Sequence, residues 1–84
     1  MNKARRQVIR WQALTEAYEY LIRQAETYQD NATRYWKSFE EDKKRAQEDG
    51  DTEWNPENNY WYIEAVRCDT ETEIYRAVAE EIIK

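Results

Sequence analysis

The chain has 84 residues, room for one small domain spanning 1–84 and no more. Its formal net charge is -5, with 37% charged and 14% aromatic residues, so it is too polar for a generous core and too aromatic for a disordered chain. One Gly and one Pro leave too few turn residues for an all-β fold, and one Gly is too few for a phosphate-cradling loop.

The organising stretch runs from Trp11 to Phe39. Alternate steps of three and four fall on Trp11, Leu14, Tyr18, Leu21, Ala25, Tyr28, Ala32, Tyr35 and Phe39, all apolar or aromatic. Such stepping is the a/d seam of a coiled-coil-like helix. Ala, Arg, Gln, Glu, Lys and Leu dominate residues 3–48, and these are strong helix formers. Asp30-Asn31 offers a place for a kink, but the seam passes it without a slip, which favours one long helix. The seam stops at Asp42, the next d position, and the helix continues as a charged rod with Glu40/Lys44 and Glu41/Arg45 at i,i+4 spacing. Gly50 is the expected stop, because glycine accepts the left-handed conformation past a helix end. Asn31-Ala32-Thr33 matches a glycosylation acceptor; with a helical setting and no signal peptide it is read as chance.

After a loop over 51–55, Asn55-Pro56-Glu57 reads as a helix start: a cap, Pro in the first turn, then an acid. Tyr60-Trp61-Tyr62-Ile63 would also suit a strand. Its only internal partner would be Thr52–Trp54, so a helix over 56–67 is preferred. Thr70-Glu71-Thr72-Glu73 has capping-box spacing and predicts a third helix over 70–83 with Ile74, Val78 and Ile82 on one face. The expected fold is therefore all-α: one long amphipathic helix over about 3–48, with two shorter helices over about 56–67 and 70–83 packed back on it. At 1.5 Å per residue the long helix spans about 68 Å and its seam about 42 Å, against about 18 and 21 Å for the other two. Laid end to end, the short pair barely covers the seam; doubled over into a hairpin, it covers about half. An uncovered apolar stripe implies a homodimer or a target protein.

Charge is divided along the chain. Residues 1–40 hold seven basic and five acidic side chains, whereas 41–84 hold six and thirteen. Lys3, Arg5, Arg6 and Arg10 stand together with no acid among them, and Glu48, Asp49, Asp51, Glu53 and Glu57 with no base. Net acidity, and basic residues without a zipper behind them, argue against direct nucleic-acid binding.

Catalytic chemistry finds few residues. Histidine is absent, so the commonest general acid/base and imidazole ligand are missing. Ser38 is the only serine, at a g position with no candidate base, and Cys68, the only cysteine, lacks a His partner and two or three further zinc ligands. A lone cysteine, no apolar h-region and no membrane-length apolar run fit a protein of the cytoplasm, the host's if a phage encodes it. Glu16-Ala17-Tyr18-Glu19 and Glu48-Asp49-Gly50-Asp51 form an E-x-x-E…E-x-x-D pattern that resembles the magnesium site of the all-helical nucleotide pyrophosphatases related to MazG. That resemblance would imply a metal-dependent enzyme with these acids lining a bundle interior. Here, however, Glu16 and Glu19 fall at f and b, facing away from the seam, and solvated surface acids are the preferred reading.

The aromatics are the most distinctive feature. Trp11 lies on the seam and Trp36 widens it. Trp54, Tyr60, Trp61 and Tyr62 make a second cluster flanked by Glu53, Glu57 and Glu64, and a helix cannot bury all of them on one side. Exposed Trp and Tyr commonly dominate binding energy. These nine residues are the expected partner-binding set, with no catalytic, metal or cofactor residues. In size, acidity and lack of catalytic groups the chain resembles small phage and mobile-element inhibitors of nucleic-acid enzymes, the anti-restriction and anti-CRISPR proteins among them. The expectation is a non-enzymatic adaptor or inhibitor that binds protein, with a homo-oligomeric assembly protein as the alternative.

Overall fold

The structure, a computed structural model, describes residues 2–84. It is a two-helix antiparallel hairpin, 72 × 15 × 14 Å. The first helix, α1, runs unbroken over Lys3–Glu48, through Asp30 and Asn31. Asn2 caps it, its side-chain oxygen accepting from the Arg5 N–H at 2.9 Å.

Gly50 ends α1 as expected, with φ of 66°. The Asp51 N–H donates to the Ala46 carbonyl and the Gly50 N–H to that of Gln47, which satisfies two otherwise orphaned carbonyls. A Cβ added at Gly50 would meet nothing within 4 Å. The cost of Gly50→Ala is therefore backbone strain alone, and thermal melts should show a loss of about 1–2 kcal/mol.

Three expectations fail in the C-terminal half. Pro56–Asn58 is a single 3-10 turn rather than the start of a helix over 56–67. Asn55 does accept from the Glu57 N–H at 2.9 Å, but it closes only that turn. The cap of the second helix is Asn59, which accepts from the N–H groups of Trp61 and Tyr62 at 3.0 and 3.3 Å. The Asn59 amide also donates to Asp42, so one side chain starts the helix and ties it to α1.

The predicted helices over 56–67 and 70–83 are one helix, α2, Tyr60–Ile82. The capping box at Thr70 does not form, because the Thr70 hydroxyl donates back to the Val66 carbonyl at 2.9 Å inside a continuous helix. The face assignment changes too. Ala65, Cys68, Thr72 and Ala79 are buried on α2, with Tyr75 and Ile82 half-buried, whereas Ile74 and Val78 are exposed. Those six positions step by three and four, so α2 carries a seam of its own. Thr72 is tolerated there because its hydroxyl donates to the Cys68 carbonyl at 2.8 Å.

Cross-helix contacts fix the register. Tyr28 stacks on Tyr75 with centroids 5.6 Å apart and planes at 16°. Arg76 donates to Gln29, and the Trp36 indole N–H to Asp69 at 2.9 Å. These pairings set Ala25 level with Ala79, Ala32 with Thr72, and Phe39 with Ala65. On α1 the buried residues are Ala25, Ala32, Phe39 and Ala46, so the seam continues one step past Asp42. Small side chains let the backbones approach closely, and aromatic layers fill between them. The loop end closes over the largest layer: Phe39 touches the rings of Trp36, Trp54 and Tyr62 at 5.6–5.8 Å.

Candidate protein-binding surface

At 23 residues α2 reaches about 34 Å, half the length of α1. From the Tyr28–Tyr75 layer it continues two turns to Ile82, level with Leu21. Residues 3–20 of α1, about 27 Å of helix, therefore project past the end of α2 at Ile82. Trp11 on this arm is 66% exposed, and Val8, Ile9 and Tyr20 are exposed beside it. Leu14 and Tyr18 continue the seam there and are half-buried.

A second uncovered apolar stripe lies on α2, opposite its seam. Ile63, Val66 and Ile74 are 50%, 40% and 51% exposed, with Thr70 between them and Val78 beyond. The distribution of side chains is thus inverted. No large side chain is fully buried among the described residues, and most of the buried set is alanine.

Of the nine residues expected to bind a partner, the structure turns several inward. Trp36, Trp54, Trp61 and Tyr62 are half-buried, Trp61 against Tyr35 at 5.9 Å and the others around Phe39. The Trp54 indole N–H is buried without an acceptor. Tyr60 stays exposed with its ring edge-on to Trp61, and Trp11 is exposed at the far end of the rod. Glu53 and Glu57 face solvent, while Glu64 is held by Arg67 at 2.8 Å. Missing from the expected set were Ile63, Val66, Ile74 and Val78. The signal was present, in that apolar residues on α2 fall on two faces rather than one.

The N-terminal end of α1 is charged against the helix dipole, whereas its last turn carries both Arg45 and Glu48. Its first turn contains no acid but holds Lys3, Arg5 and Arg6 at the positive end. Glu48 and Asp49 stand at the negative end, followed by Asp51, Glu53 and Glu57. The ion pairs among the described residues are Arg45–Asp42, Arg67–Glu64 and Lys84–Glu81, each within one helix turn, and none engages either cluster.

Other chemistry is sparse. Asn31, Arg34, Tyr35, Ser38 and Trp61 line an open recess of about 320 Å³, with Arg34 donating to Asn31. The Glu16/Glu19 pair sits on the arm and Glu48/Asp51 at the loop, about 44 Å apart along the rod, too far to share an ion within one chain. Among the described residues no group of three His, Cys, Asp or Glu side chains could hold a metal. No helix among them is long and apolar enough to cross a membrane.

Burial pushes the Cys68 thiol above its ordinary range, against the opposing pull of Arg67, with Glu64, Asp69 and Glu71 adding to the rise. Desolvation likewise raises Tyr75, helped by Tyr28, Glu71 and Tyr20. The fold thus favours both neutral forms. Their contribution is complete below the ordinary thiol range and is lost as pH climbs past about 8.5 and then past about 10. Melting temperature should hold steady from pH 7 to that point and fall beyond it, and Cys68 should react with a thiol reagent only after unfolding.

Comparison with protein-family models, curated proteins and solved structures gives no match to any of them.

Proposed function

We propose that this chain is a non-enzymatic protein-binding module whose working surfaces are the projecting arm of α1 and the outer stripe of α2. The observation that carries the reading is the outward placing of large apolar side chains: Trp11, Ile63 and Ile74 stand in water while most of the buried residues are alanine. Each large side chain of this kind gains roughly 1.5–3 kcal/mol on burial, so two such stripes on a small rod favour a partner. Trp11, the largest and most exposed, is the expected anchor. A cytoplasmic setting suits the buried, reduced Cys68.

The reading is tested with a photo-crosslinking amino acid placed at Trp11 and, separately, at Ile74 in the expressing cell. Discrete protein adducts from either position, of this chain or another, support it. Absence of any adduct from both positions in a correctly folded protein defeats it.

A second reading attaches to the loop end. Glu48, Asp49, Asp51, Glu53 and Glu57 are exposed, without ion pairs, and close to exposed Tyr60. An adaptor or inhibitor that occupies the Lys/Arg-lined channel of a nucleic-acid enzyme would present this end. Such binding weakens steeply with salt; affinity indifferent to salt removes charge mimicry.

A further inference from the structure

We propose that the occupant of both uncovered stripes is a second copy of this chain, packed antiparallel, so that the arm of each copy lies along the outer face of the other's α2. This rests on the protein-binding reading above and names its partner.

Three observations converge. The first is spacing. Trp11, Leu14 and Tyr18 on the arm and Ile22 just past its base step by three, four and four residues. Ile63, Val66, Thr70 and Ile74 step along α2 by the same intervals. With the two α1 helices antiparallel, the arm of one copy runs parallel to α2 of the other, and the stripes meet in phase: Trp11 with Ile63, Leu14 with Val66, Ile22 with Ile74.

The second is charge. That register sets Lys3, Arg5, Arg6 and Arg10 of one copy beside the acidic connection 48–57 of the other, at both ends of the dimer. A parallel pair would place like charges together instead.

The third is the dipole. Lys3, Arg5 and Arg6, which oppose their own helix end in the monomer, face the negative end of α1 in the other copy. The contact is isologous, each copy giving one arm and one α2 face, so the assembly closes at two. The hairpins overlap around residues 21–30 of α1. Four helices stand there and three on either side.

Sedimentation across a dilution series provides the first test, with twice the 10.3 kDa chain mass expected at micromolar concentration. Ile74→Glu, at an exposed position, should keep the helical spectrum of the hairpin yet weaken association by roughly 30-fold, the effect of losing a hot-spot side chain. Arg6→Glu with Arg10→Glu should weaken it as well, and adding Asp51→Lys with Glu53→Lys should restore it. For the register, in a Cys68→Ala background, Trp11→Cys combined with Ile63→Cys should oxidise to a covalent dimer, and Trp11→Cys alone should not. A chain that stays monomeric into the millimolar range overturns the second copy as occupant; adducts from Trp11 to a different protein would then leave the protein-binding reading standing. A dimer that cross-links through Trp11→Cys alone overturns the antiparallel register.

Discussion

Phe39→Ala is expected to cost about 3–5 kcal/mol, the range for removing a buried aromatic ring. Phe39 is the only large residue among the buried ones in the described structure, and its ring meets three others, Trp36, Trp54 and Tyr62. Those pairings add stabilisation beyond area alone, about 0.5–1.5 kcal/mol each. A chain of 84 residues has a total stability of about 4–13 kcal/mol, so this one substitution removes a large share of it. Chemical denaturation followed by circular dichroism measures the loss. Tryptophan emission should shift to the red as Trp36 and Trp54 lose their common neighbour. Phe39→Leu keeps most of the volume and should cost much less. A Phe39→Ala variant that unfolds within 1 kcal/mol of the parent would mean that the loop end is not the core of the hairpin.

The second large effect is expected at Ala65, which is 0% exposed although it carries only a methyl group. It lies on the α2 seam between Tyr62, whose ring touches Phe39, and Asp69, which accepts from Trp36. The methyl is therefore enclosed between the helices, level with the Phe39 ring. Ala65→Phe should overpack this layer and cost about 1–3 kcal/mol or more, since the helices must separate to admit a ring. Combining it with Phe39→Ala exchanges large for small at one level. The double variant should be more stable than the sum of the two losses implies, giving a coupling energy of the kind that only close neighbours show. Additive losses would place the two residues at different levels and refute the register.

The two halves of the chain were unequally legible in its residues. α1 could be read because its seam is made of large side chains and its end is marked by the lone glycine. The break in α2 was misplaced because Thr70 and Glu73 carry the spacing of a cap, and a threonine hydroxyl inside a helix can turn back to the preceding turn equally well. Phase would have decided it. Ala65, Cys68, Thr72, Tyr75, Ala79 and Ile82 keep their stepping through Thr70 just as the α1 seam keeps its own through Asn31. Those residues do not advertise a core, because Ala, Cys and Thr contribute little area. Ile74 and Val78 do advertise one, and they face outward. Of the surface proposed for binding, Trp11 was visible as part of a seam too long to be covered. That the cover stops near Leu21 depended on the register, which only the folded hairpin supplies, whereas the second apolar side of α2 was legible once the helix was read as continuous.

The single connection between the helices orders the contacts by their distance along the chain. Asp42 meets Asn59 across a short loop, Trp36 meets Asp69 across a longer one, and Tyr28 meets Tyr75 across the longest of the three. Entropy of closure grows with each step away from the connection, and every layer formed shortens the loop left to close for the next. The hairpin is thus built to zip from the aromatic end toward Ile82, and to fray in the reverse order. In the separated hairpin, amide protons near Ile82 should be the first on α2 to exchange with solvent, and those around Ala65 the last.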